Sequence, residues 1–176
     1  MDIIFFNCGV SQSWLTMERE IIRENIRAFV ENGGSIYVSD WAYYFVELPF
    51  PTKIDFYGDD MEYGEPMVGS EGSVSASVID ATMAAIIGSV GADINFVLPM
   101  WVVMEDIDTD VEILLEAEIT VATGFGDMAV LGTVPIAARF DVGEEGGRVI
   151  YTAFHNEDAA TTLDMTDILE EVILSL

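Results

Sequence analysis

The chain has 176 residues, enough for one domain with a sizeable core and no disulfide staple. It carries 32 acidic residues against six basic ones, a formal net charge of −26, and Lys53 is its one lysine. Binding nucleic acid through phosphates needs a basic face, so that class is excluded, and an anionic membrane would repel this surface as well.

The hydrophobic share of 51% argues against disorder. The longest apolar run, Phe96 to Met104, is far shorter than the roughly 20 residues of a membrane span. Met1 to Phe6 shows no basic segment of a secretion signal and enters a strand at once, so the default expectation is a soluble, cytoplasmic protein. The charge has two readings. One is a solvated acidic coat suited to a salt-rich medium, a halophilic adaptation. The other is that some carboxylates bind Ca²⁺ or a basic partner. The high apolar content adds the expectation of an oligomer that covers part of the surface.

Asp2 to Asn7 reads as a buried strand. Met17 to Glu31 follows as an amphipathic helix, with Ile22, Ile26, Phe29 and Val30 on one stripe and possible N-caps in Ser11 to Thr16. Asn32-Gly33-Gly34 stops it, because glycine adopts the left-handed cap cheaply. Ser35 to Ser39 is the next strand, and the strand–helix–strand unit makes the two strands parallel. Asp40 to Phe50 is an aromatic short helix or loop. Thr52 to Ser73 reads as a long surface excursion. Val78 to Gly88 suggests a short helix, and Ile94 to Met104 a strand broken by Pro99. Val111 to Ala122 and Ala129 to Asp141 alternate as antiparallel strands. After the turn Gly143 to Gly147, Arg148 to Phe154 is a buried strand, and Thr162 to Leu176 is a closing amphipathic helix.

Three of these strands end on polar residues: Asn7-Cys8-Gly9, Ser39-Asp40 and His155-Asn156-Glu157. If they are parallel neighbours, the endings converge where α/β sheets bind ligands. Ser39 or Cys8 would then be a nucleophile, His155 its base and Glu157 the group that orients the imidazole, since an i, i+2 pair in extended chain shares a face. Cys8, Asp40, Trp41 and Asn156 would line a ligand site. Acidic surroundings oppose a thiolate, so Cys8 is expected as a buried, inert thiol.

Residues 29–39, Phe-Val-Glu-Asn-Gly-Gly-Ser-Ile-Tyr-Val-Ser, resemble the helix, glycine turn and strand that lead to the nucleophile elbow of class I glutamine amidotransferase-like domains. Phe154-His155-Asn156-Glu157 resembles the His-Pro-Glu ending of the same family. The resemblance covers residues 1–50 and 146–176. It implies a three-layer α/β/α flavodoxin-like sandwich with a mainly parallel sheet, the family's usual first strand–helix unit missing and a β-rich insertion at about 52–142. The chain departs from the family pattern where chemistry is concerned. Ser39 stands in place of the nucleophilic cysteine, and Tyr37 and Trp41 occupy the positions of the elbow glycines, so glutamine hydrolysis is not expected.

Asp106, Asp108, Asp110 and Glu112 alternate, and in an extended strand would share a face; the three aspartates are a candidate Ca²⁺ site. An EF-hand is excluded, because Val111 and Ala117 occupy its glycine and glutamate positions. Asp55, Asp59, Asp60, Glu62 and Glu65 form a second acidic group. With one cysteine and one histidine there is no zinc-motif spacing. The sequence thus points to a non-catalytic, amidotransferase-like binding or assembly module. The alternatives are a hydrolase using Ser39, His155 and Glu157, and a Ca²⁺-dependent interaction protein.

Overall fold

A computed structural model describes residues 2–8, 12–58, 68–97, 100–123, 127–155 and 162–176. Strand β1 (Ile3–Phe6) leads to helix α1 (Gln12–Glu31) and strand β2 (Ser35–Ser39). The helix ends as the glycines require. The Gly34 N–H donates to the Phe29 carbonyl, the Gly33 N–H to that of Val30, and Gly33 has φ +90°. A glycine-terminated reversal of this kind satisfies carbonyls that the last turn leaves open.

A 3-10 turn (Asp40–Ala42), helix α2 (Tyr44–Glu47) and strand β3 (Ile54–Phe56) follow. Next come β4 (Val68–Gly69), β5 (Gly72–Val78), α3 (Ala81–Ile87), β6 (Gly91–Phe96), β7 (Trp101–Val102) and β8 (Met104–Ile107). The chain closes with β9 (Glu112–Thr123), β10 (Asp127–Asp141), β11 (Arg148–Thr152) and α4 (Leu163–Leu174). Thr162 caps α4 by accepting the Met165 N–H at 3.1 Å. Among the described residues no helix is long and apolar enough to cross a membrane.

The main sheet runs β1-β2-β11-β10-β9 and then forks, since β9 pairs with both β4 and β5. Only β1, β2 and β11 are parallel to one another. The rest of the sheet is antiparallel, and β3 and β8 form a separate two-stranded ribbon. The expected three-layer flavodoxin-like sandwich with a mainly parallel sheet is therefore not the fold: strands predominate, and the sheet is mixed. The reason is connection length. Parallel strands need a crossover of a dozen or more residues, whereas residues 142–147 join β10 to β11 directly. They become antiparallel neighbours, in register from Ala137 opposite Thr152 to Asp141 opposite Arg148. The segment 52–142 thus supplies strands to the same sheet that carries β2.

All five residues of β2 are buried, as expected of a strand covered on both faces. Alternation puts Ser35, Tyr37 and Ser39 on one face, with Ile150 and Thr152 of β11 beside them. The Ser35 hydroxyl donates to the Leu176 carbonyl just past α4. The opposite face carries Ile36, Val38, Val149 and Tyr151, and Phe56 of the β3–β8 ribbon meets the Tyr151 ring edge-on at 5.1 Å. The aromatic residues after β2 pack the same way: Tyr43 lies edge-on to Phe56, and Phe45 stacks on Phe6. At the sheet margin Ile3, Ile4 and Phe5 of β1 are partly exposed.

The buried tyrosines make stability fall at alkaline pH. Burial pushes the Tyr37 hydroxyl up to about 12, against smaller downward pulls from the Thr152 and Ser39 hydroxyls. Burial, and next the Asp40 charge, raise Tyr151 as well. The unfolded chain releases these protons near pH 10, while the folded chain holds them. The contribution is therefore complete below pH 10 and is lost as pH rises through the folded values. For Tyr37 the loss amounts to about 3 kcal/mol once pH has passed the folded value. Tyr37→Phe is expected to flatten the decline of denaturant midpoint between pH 10 and 12; an unchanged slope would contradict this account.

Candidate functional site

The parallel trio β1, β2 and β11 brings its three carboxyl ends to one rim, as the polar endings suggested. Asp40 is the centre of that rim. It is the one non-glycine residue with positive φ (+46°) among the described residues, and it is 1% exposed. Aspartate tolerates the left-handed region better than most residues, and here that conformation swings the chain from β2 into the 3-10 turn. Its backbone carbonyl accepts from the Tyr151 hydroxyl at 3.2 Å and from the Tyr43 N–H at 2.9 Å.

The carboxylate of Asp40 is held from several sides. Oδ1 accepts the Val102 N–H at 2.8 Å, which ties the rim to β7. Oδ2 accepts the Cys8 thiol at 3.4 Å and lies 3.8 Å from His155 Nδ1. Cys8 follows β1, and His155 follows β11 by way of Ala153 and Phe154. One carboxylate oxygen thus faces a thiol and an imidazole delivered by the two strands that flank β2. One ligand atom from each of Cys8, Asp40 and His155 lies within 4.8 Å of the others.

A cavity of about 10 Å³ opens on this group, lined by Asp40, Asn95, Phe96, Trp101, Phe154 and His155. That is about the size needed for one water molecule or one ion. Trp101 walls it by stacking on Phe96 at 3.9 Å, and its indole N–H donates to the Ser70 carbonyl at 2.9 Å. Trp41 turns aside, its indole N–H donating to the Met100 carbonyl at 3.0 Å.

Ser39 sits on β2 opposite Thr152 of β11, close to the rim and on the sheet face that also carries Ser35 and Tyr37. Its side chain is fully buried, and its Oγ accepts the Cys8 N–H at 3.3 Å. Asp40, one residue on, takes the positive-φ conformation that breaks from the strand. The partner of His155 found here is Asp40; Asn156 and Glu157 lie outside the described residues. Cys8 is half-buried, where a fully buried thiol was expected, and its thiol donates to Asp40.

The three aspartates proposed for Ca²⁺ do not share one strand face. Strand β8 ends at Ile107, and Asp108 and Asp110 belong to the following turn. Asp108 Oδ1 accepts the Thr109 N–H at 2.7 Å, and Lys53 lies 3.6 Å from Asp108 Oδ2 and pairs with Asp110. The Thr109 N–H first, and Lys53 after it, hold the Asp108 carboxyl below its usual range. The lone lysine therefore answers this acidic group. An open groove of about 420 Å³ beside it is lined by Asp55, Asp106 and Asp108 with Pro51, Thr52 and Ile54. Asp59, Asp60, Glu62 and Glu65 fall outside the described residues.

No protein-family model matches the chain, and no curated protein is significantly similar to it in sequence.

Proposed function

We propose that this chain is a non-catalytic binding module whose ligand sits at the rim formed by Cys8, Asp40 and His155. The observation that carries the reading is the exchange of roles at the end of β2. An acidic residue stands at the strained turn with the imidazole beside it, while the serine is fully buried and already hydrogen-bonded to a backbone N–H. A serine nucleophile needs access to its substrate and a base within about 3.2 Å. The small cavity supports the same reading, since its size suits an ion or a water-sized group. The likeness of residues 29–39 and 154–157 to amidotransferase-like domains supports a site at these strand ends and leaves its chemistry open.

Incubation with a serine-reactive fluorophosphonate, followed by intact-mass measurement, tests this. No adduct and no hydrolysis of activated esters are expected. A stoichiometric adduct that disappears in Ser39→Ala would overturn the reading in favour of a hydrolase.

A further inference from the structure

We propose that Cys8, Asp40 and His155 bind one divalent cation of the zinc class. This rests on the reading of the rim as a ligand site and names its ligand. Among the described residues of a chain with 32 carboxylates, no other three Cys, His, Asp or Glu side chains converge in this way. The spacing suits tetrahedral coordination. Bonds of about 2.0–2.3 Å at tetrahedral angles put neighbouring donor atoms roughly 3.3–3.6 Å apart. Sγ to Oδ2 is 3.4 Å and Nδ1 to Oδ2 is 3.8 Å, and one donor atom from each residue lies within 4.8 Å of the others, so side-chain shifts of roughly an ångström complete three corners.

The donor set selects the cation. Thiolate and imidazole favour borderline metals such as Zn²⁺ and Co²⁺, whereas Ca²⁺ and Mg²⁺ take six or more oxygens. Charge agrees with this: a thiolate and a carboxylate offset a dication, so the occupied site is neutral in a largely buried setting. On binding, the Cys8 S–H bond breaks, its proton passes to the buffer, and the sulfur–metal bond forms. The Val102 N–H on Oδ1 fixes the carboxylate so that Oδ2 points at the other two donors, the orienting contact expected behind a metal ligand. Asp40 and His155 also line the cavity of about 10 Å³, which has room for a water-sized fourth ligand. The cation's role is then to clip the end of the marginal strand β1 to those of β2 and β11.

Cobalt titration of metal-free protein is the test. One Co²⁺ per chain is expected, with a thiolate-to-cobalt charge-transfer band that Zn²⁺ removes and millimolar Mg²⁺ or Ca²⁺ does not. Cys8→Ser should abolish the band, and Cys8→Ser and His155→Ala should each weaken Zn²⁺ binding by about 100-fold or more. Asp108→Asn should change neither band nor affinity. If a variant fails to fold, alkylation of Cys8 by iodoacetamide in the wild type replaces it: Zn²⁺ should protect the thiol. Absence of the band, displacement by Mg²⁺, unchanged affinity in His155→Ala, or equal alkylation rates would overturn the proposal. Fluorophosphonate labelling at Ser39 would instead sink the non-catalytic reading, whatever the titration shows. A silent titration without labelling removes the cation alone.

Discussion

Replacing Asp40 with alanine is expected to cost about 3–4 kcal/mol, lowering the thermal midpoint by roughly 10 °C in a chain of this size. Two effects add. The carboxylate that accepts the Val102 N–H is removed, leaving a donor in the core without its acceptor. A buried donor stranded in this way costs about 1–3 kcal/mol, toward the upper end where the lost partner was charged. Alanine must also hold φ near +46°, which costs roughly 1 kcal/mol more than for aspartate. The two parts can be separated. Asp40→Gly loses the same carboxylate but is at ease in the left-handed region, so it should be about 1 kcal/mol more stable than Asp40→Ala. Asp40→Asn keeps both an acceptor and the tolerance for positive φ, and should stay within about 1.5 kcal/mol of the wild type. Chemical denaturation of the three variants is the measurement. An alanine variant as stable as the wild type would mean that Asp40 does not organise the rim.

Gly147→Ala is expected to cost about 3–5 kcal/mol, for a different reason. A Cβ at this position would lie 1.9 Å from the Gly34 carbonyl oxygen and 2.4 Å from its carbon. Both groups are backbone, where β2 and β11 begin side by side, so no side chain can swing away. The Gly147 N–H also donates to the Val30 carbonyl at 2.7 Å, which anchors the approach to the end of α1. Relief would require the leading ends of the two central strands to part. Gly143 is the control, because it has φ +69° and open space around it. Gly143→Ala should cost only about 1 kcal/mol of conformational strain. Equal effects at the two glycines would show that the close approach does not constrain the sheet.

The strand–helix–strand unit was legible because every signal in it is local. Ile26 and Val30 repeat at helical spacing, the glycine pair stops the helix, and Ser35–Ser39 follows without a gap. The alternation in β9 and β10 was equally plain, and the two do form an antiparallel pair. The place of that pair differs from the expected insertion: both strands belong to the sheet that carries β2. The length of the 142–147 connection held the corrective signal, since it is too short to return a strand in parallel.

At the rim, the polar strand ends identified the region and three of its members: Cys8, Asp40 and His155. Their arrangement is a matter of geometry that the endings leave open. A run reading Ser-Asp does not say which residue stays in the strand and which one breaks from it. That depends on the pleat of β2, on Thr152 lying opposite Ser39, and on an N–H from β7 that reaches Asp40 across more than sixty residues. Counting cysteines and histidines also concealed the cluster, because a spacing motif detects ligands near in sequence. Here one side chain comes from just past the end of each of three strands.

Hydrophobic period and glycine stops are properties of neighbouring residues, and they are enough to specify the central elements. Which strands lie side by side, and which polar atoms meet at their ends, are long-range matters. They follow from packing both faces of β2 and from the hydrogen bonds that buried backbone and carboxylate groups must find.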